Sequence, residues 1–331
     1  MKKIILLLLI LLLTGCSEND KQVVISDLEN KINKLNSYQI QGTLKMLNNE
    51  EMYIYDVEVA YQKKDNFRVS LINKTNNHKQ IILKNKDGVY VLTPSLNKSL
   101  KFESKWPYNN SQIYILQSLL KDIKGDKNYN FNVINKGYAF KTLVNYPNNE
   151  NLAKQKIYLN KKKEIKRVVV LNKNNEIQMD MKFNKIDYNT KFDKKYFNLN
   201  FNMSVTKEKN IIKKVNKIDE GIYPMYLPKN TYLDKEDKIE KENGERIIMT
   251  FKGDNSFVLI EETAEIPNDN KILKVSGNPE FLSDTIGVFS KNEVSWFSDG
   301  VMYYILADDI KNKHLMNVSN SIGVASIIKS K

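Results

Sequence analysis

From Tyr53 to Tyr61 every second residue is apolar, with Tyr53, Tyr55, Val57, Val59 and Tyr61 on one side and Asp56 and Glu58 on the other. Side chains alternate across a strand, so this run demands a sheet with one buried face. Residues 67–71 alternate similarly, strand patterns recur at 156–159 and 167–171, and the period returns at Ile177, Met179, Met181 and Phe183. Ile81-Ile82-Leu83 and Val89-Tyr90-Val91-Leu92 flank Asn85-Lys86-Asp87-Gly88, a turn of the hairpin type.

Two helical stripes accompany these strands. Ile25, Leu28, Ile32 and Leu35 keep the spacing of an amphipathic helix. Pro107 and Asn110-Ser111 supply the start signal for a second, Ile113, Leu116, Leu120 and Ile123 form its stripe, and Gly125 ends it. Many antiparallel strands with one or two helices fit a mainly β (α+β) fold, a curved sheet or open barrel with helices over its mouth. After the charged stretch 207–220 a smaller α+β unit is expected over 221–331. It has strand patterns at 246–251, 257–261, 294–297 and 301–306 and a final helix near 311–322.

The N-terminus sets the compartment. Lys2 and Lys3 lead ten apolar residues, Ile4 to Leu13, and the run stops at Leu13-Thr14-Gly15-Cys16. A positive start, a short apolar core and small residues before the cut describe a secretory signal. The run is too short to span a bilayer, which takes about 20 apolar residues. Its ending resembles the lipobox of bacterial lipoproteins, and Cys16 is the sole cysteine. The resemblance implies cleavage between Gly15 and Cys16, a diacylglycerol on the Cys16 thiol, and a mature chain anchored by lipid to the extracytoplasmic face of the cell membrane. Residues 1–15 are then the signal, 16–23 a tether and 24–206 the first domain. With Cys16 lipidated, no disulfide is available, and stability has to come from packing.

Charge divides the chain. Residues 1–217 hold 39 basic and 20 acidic side chains, whereas 218–331 hold 13 and 19. A nucleic-acid partner is excluded. Only Arg68, Arg167 and Arg246 among 52 basic residues carry the guanidinium fork that reads guanine and phosphate, and export separates the chain from the genome. The basic half either faces an anionic membrane or reflects a lysine-rich composition with solvated side chains. Similarly, Lys161-Lys162-Lys163-Glu164-Ile165-Lys166-Arg167 either meets headgroups or is a solvated hairpin turn, the reading the pattern favours.

No catalytic residue, metal site or cofactor is expected. His78 and His314 are the only histidines, fall in different units, lack the spacing of a zinc helix and read as surface residues. Gly-x-Ser-x-Gly, phosphate-loop and dinucleotide fingerprints are missing. Glu261-Glu262 and Asp308-Asp309 are sequence neighbours, which point apart on a strand or helix.

A longer match lies in Asn85-Lys86-Asp87-Gly88-Val89-Tyr90-Val91-Leu92-Thr93-Pro94-Ser95-Leu96-Asn97-Lys98-Ser99, continuing through Phe102, Ser104, Trp106-Pro107 and Asn110-Ser111-Gln112-Ile113-Tyr114. These residues resemble the LolA-like, outer-membrane-lipoprotein-sorting family, in the variant of the sporulation lipoproteins of endospore-forming bacteria, the YdcC type. Phe183, Tyr188, Asn189, Phe192-Asp193 and Phe197 continue the likeness to the end of the first domain. Pro228, Arg246 to Thr250, Ser295-Trp296 and Asp299-Gly300-Val301 carry it into the second.

The resemblance implies an unclosed antiparallel β-barrel with helices in its concavity, where LolA-like proteins hold acyl chains. It implies a non-enzymatic, membrane-anchored lipoprotein of sporulation or germination that binds an envelope protein. The alternative is a tethered carrier or sensor of lipid or lipoprotein. Tyr90, Leu92, Phe102, Trp106, Ile113, Tyr114 and Leu116 would line an apolar groove for the acyl chain, or they are plain core. Two departures stand against shuttling: Cys16 tethers the chain, and no arginine lies between Arg68 and Arg167 to match the carrier's pocket arginine.

Overall fold

The computed structural model describes residues 20–48, 51–204, 215–282 and 284–329, with residues 323–329 described by backbone alone. Gly15, Cys16, the apolar run before them and part of the 207–220 stretch lie outside the described residues.

Helix α1 (Lys21–Asn33) begins where Asp20 accepts a 2.7 Å hydrogen bond from the backbone N–H of Gln22, and it buries Val24, Ile25, Leu28 and Ile32. Eleven strands share the next 155 residues with one helix before the first domain's last turn. They are β1 (Ser37–Asn48), β2 (Glu51–Gln62), β3 (Asn66–Asn73), β4 (Lys79–Asn85), β5 (Gly88–Thr93), β6 (Lys98–Phe102), β7 (Asn130–Ile134), β8 (Gly137–Leu143), β9 (Leu152–Asn160), β10 (Ile165–Asn172) and β11 (Ile177–Tyr188). Between β6 and β7 lies α2 (Leu116–Gly125), and after β11 comes the short α3 (Leu199–Ser204). The second half contributes β12 (Thr231–Lys241), β13 (Gly244–Gly253), β14 (Phe257–Thr263), β15 (Lys271–Val275), β16 (Asn278–Leu282), β17 (Thr285–Phe289), β18 (Glu293–Ser298), β19 (Val301–Leu306) and helix α4 (Asn312–Lys329).

Two sheets result. The larger runs β15-β6-β5-β4-β3-β2-β1-β11-β10-β9-β8-β7 and does not close, so the chain is mainly β with an unclosed barrel. The smaller runs β12-β13-β14-β19-β18-β17-β16. Strand β15 departs from local logic: it belongs by sequence to the second half, yet it pairs in parallel with β6 at the edge of the first sheet. The Asn85-to-Gly88 turn closes β4 onto β5, with Gly88 at φ +138° as a hairpin of this kind requires. Gly42 of β1 lies opposite a bulge in β11, where Asn184 is skipped in the pairing, and an added Cβ would lie 2.4 Å from the carbonyl oxygen of Lys182 on β11.

Burial follows the alternation. On β2, Tyr53, Tyr55, Val57 and Val59 are buried, while Asp56 is exposed. The concave face of the large sheet packs on α1, α2 and the irregular 103–115 segment. Ile286 and Val288 of β17 join that same core from the second half. On the convex face, Ala60, Ile81, Leu83, Tyr90 and Leu92 pack under Phe197 and Met203 of the 192–204 segment. Helix α4 lays Leu315, Met316, Val318 and Ile322 on the second sheet.

The 161–167 run is the hairpin turn between β9 and β10, with Lys163 at φ +58°. It is tied back to α1 by ion pairs of Lys163 with Asp27 and Lys31 with Glu164. The second helix starts later than its stripe predicts, at Leu116, so Ile113 precedes it. The capping-type residues are engaged elsewhere. Ser111 exchanges hydrogen bonds of 2.9 Å with Asn145, and Asn110 reaches toward Glu280.

Candidate functional site

The sequence singles out seven groove residues, and the structure divides them between two faces. Phe102, Trp106, Ile113, Tyr114 and Leu116 gather on the concave side in the main core. Tyr90 and Leu92 do not join them: they face the convex side, under Phe197 and Met203. All four residues of Val89-Tyr90-Val91-Leu92 are apolar and buried, so composition alone did not tell which pair turns inward; Val89 and Val91 do.

The concave site is filled by the chain itself. Trp106 stands edge-on to Phe67 with ring centres 6.1 Å apart, and Tyr61 and Tyr38 continue the stack at 5.0 and 5.2 Å. The Tyr38 hydroxyl donates to Oε1 of Gln117 at 2.8 Å, and burial raises its pKa well above the ordinary tyrosine value. Between Trp106, Ile113, Tyr114 and a roof of Pro279, Glu280, Phe281 and Ile286, a space of about 20 Å³ is left. A water occupies about 10–15 Å³, so the space is that of about one water.

The roof comes from β16 and β17, and its seam with the large sheet is polar. Gln80 of β4 is 5% exposed and acts as a surrogate strand residue. Its Oε1 accepts from the N–H of Ile286 at 2.6 Å and the hydroxyl of Thr285 at 2.9 Å, while its Nε2 donates to the carbonyl of Ile286 at 2.9 Å. Glu280 accepts from Asn148 at 3.0 Å and Asn110 at 3.4 Å, with no cation beside it. Burial pushes its carboxyl up to about 7, against the two amide hydrogen bonds that lower it. Asp284 is pushed to about 6 by burial and by the nearby Asp299, and it accepts from Asn76 and Ser298 at 3.3 Å.

Both histidines are half-buried. His78 packs against Phe297 with ring centres 5.7 Å apart, encloses its Nε2 without a partner, and is lowered by burial to about 4. His314 Nδ1 meets the Tyr226 hydroxyl at 2.6 Å. The two lie in the seam and on α4, and no three His, Cys, Asp or Glu side chains converge as a metal set among the described residues. Glu261 and Glu262 do point apart: Glu261 is fully buried, and Glu262 pairs with Arg246 and Lys241 on the other side.

Each of the three arginines is ion-paired away from the concave core. Arg68 binds Glu58 at 2.6 Å and Asn202 at 2.7 Å on the convex face. Arg167 makes a two-pronged pair with Asp180, both contacts at 2.8 Å. The seam itself was missed in sequence, because its partners lie up to 211 residues apart in the chain.

No family model matches the chain. Against curated proteins it is 34% identical over 319 residues to sporulation protein YdcC of Bacillus subtilis, covering 96% of this chain and 94% of that protein. The chain belongs to the YdcC family of sporulation proteins. Solved structures similar to this YdcC-family chain include the Pseudomonas aeruginosa MucA/MucB complex, at a TM-score of 0.32 and 12% identity over 88% of this chain and 98% of that one. The structure of the CwlD amidase from Clostridioides difficile with the GerS lipoprotein aligns at 0.31 and 16% identity, over 54% of this chain and 100% of that one. A LolA superfamily protein from Nitrosomonas europaea aligns at 0.31 and 9%, over 54% and 98%. Among the described residues no helix is long and apolar enough to cross a membrane.

Proposed function

We propose that the chain is a lipoprotein cut before Cys16, held by lipid on the outer face of the cell membrane, that serves sporulation without catalysis by binding an envelope protein. Kinship with YdcC along nearly the whole chain carries the sporulation part. A binding role is favoured over an acyl-chain carrier by the filled concavity. About 20 Å³ beside Trp106 contrasts with the roughly 300–1,000 Å³ of pockets that enclose small molecules. The second sheet offers a surface for a protein instead. Met225 and Tyr232 are 65% and 57% exposed, and Tyr223 reaches Glu236 on the acidic outer strand β12.

The test is a Cys16→Ala variant followed by cell fractionation and spore counts. The expected result is release from the membrane fraction together with impaired spore formation or germination. Normal spores from a clean deletion would overturn the reading. Native mass spectrometry after incubation with membrane extract separates the two roles: a second protein on the chain supports partner binding, and a discrete lipid adduct supports the carrier.

A further inference from the structure

A second cavity lies at the open end of the half-barrel, next to the filled core and apart from it. Its volume is about 110 Å³, room for several heavy atoms where the space by Trp106 holds one water. Six carboxamides line it: Asn48 at the end of β1, Asn149 and Asn151 in the loop before β9, Gln178 on β11, and Asn317 and Asn320 on α4. The remaining wall is apolar, with Met46, Leu152, Met179 and Phe281. Among the described residues that line it, no side chain is charged.

This composition is selective. A carboxamide offers a donor pair and an acceptor on one group, which suits hydroxyls, because each hydroxyl both donates and accepts. The missing charge removes any electrostatic preference for phosphate, carboxylate or ammonium. The methionines and the Phe281 ring give a flat apolar surface for a ligand whose faces are C–H and whose rim is polar. Asn48 is one of the lining residues, and its enclosed Nδ2 donates to nothing among the described residues, a state that costs stability. Asn149 is already oriented, since its Oδ1 accepts from the N–H of Asn151 at 3.3 Å and leaves its amide nitrogen available.

The geometry points to a binding site for a single neutral sugar ring, held by the carboxamides of β1, β11, the 149–151 loop and α4 over the Met179–Phe281 floor. Both halves of the chain contribute to it, so the site exists only when α4 and β16 are docked on the large sheet. A peptide is the less suitable occupant. The lining is side-chain carboxamides on four separate elements and not a free strand edge, and the volume admits one ring and no extended backbone.

The experiment uses the full chain in a detergent without a sugar headgroup, with N-acetylglucosamine as the probe and saturation-transfer NMR as the readout. Transfer to the ring protons is expected, saturating in the millimolar range as suits one ring and a few hydrogen bonds. Asn48→Asp and Asn317→Asp each keep the shape and exchange a donor for a charge. Either should weaken binding about tenfold with an unchanged thermal transition. Three results would overturn the site: no transfer to the monosaccharide, equal binding by both variants, or binding of a capped neutral dipeptide in place of the sugar.

Discussion

The concave interior of the large sheet and the seam along its rim are built from opposite materials. The interior is Tyr38, Ile40, Leu44, Phe67, Trp106 and Phe140, each almost wholly buried, with Phe67 and Trp106 in ring contact. The seam with β16 and β17 is Gln80, Asn110, Asn148, Glu280 and Asp284, joined by hydrogen bonds. Apolar packing is strong but weakly directional, whereas hydrogen bonds fix direction and register. The interior therefore supplies stability, and the seam decides how the second half docks.

Substitutions separate these roles. Trp106→Ala should cost about 3–5 kcal/mol in urea unfolding, because it leaves a void under Phe67 and the roof; a loss below about 1 kcal/mol would mean the interior is looser than its packing indicates. Gln80→Leu keeps the volume but strands the N–H and C=O of Ile286, at a cost of about 2–3 kcal/mol. That variant should also expose the β16–β17 seam to hydrogen exchange while the interior stays protected.

Glu280 tests the sign of the seam's electrostatics. Its carboxyl titrates near 7 in the fold against 4.5 ordinarily, so the folded chain holds a proton that the unfolded chain has released between those values. Its contribution is fully present below pH 4.5 and is lost as pH rises to about 7. Glu280→Gln should raise the melting temperature at pH 7.5 by about 2–4 °C and shrink the difference between pH 5 and pH 7.5. Part of that difference remains, since Asp284 titrates near 6 in the same direction. A larger pH difference in the variant would reverse the assignment. The smallest effect belongs to the surface: Lys74→Ala removes an exposed 3.4 Å pair with Asp56 and should leave unfolding curves superimposable.

Much of the sheet was legible in the residues. β2 reads cleanly because its two faces differ, Tyr and Val against Asp56 and Glu58. β1 escaped because Gly42, in the middle of its buried face of Tyr38, Ile40, Leu44 and Met46, has no apolar side chain to carry the alternation. β15 escaped because it is short, exposed and without alternation; only its parallel partner β6 makes it a strand. Of the candidate groove residues, Phe102, Trp106, Ile113, Tyr114 and Leu116 lie in the main core, while Tyr90 and Leu92 lie in the other cluster, a division the sequence does not show because both faces of β5 are buried. The amide cavity was invisible to local pattern, since it takes residues from four elements that meet only in the folded chain.

The union of β15 with β6 bears on the order in which the molecule is made. Asn97 donates to the carbonyl of Pro267, 170 residues further along, and β6 has no partner on that side until those residues arrive. A chain emerging N-terminus first presents a bare strand edge throughout that interval, the arrangement that invites pairing with a neighbouring chain. Closing so long a loop is slow compared with hairpin formation. A premature stop ahead of residue 271 would thus do more than delete the second half: it would leave the first half with an unfinished, adhesive border.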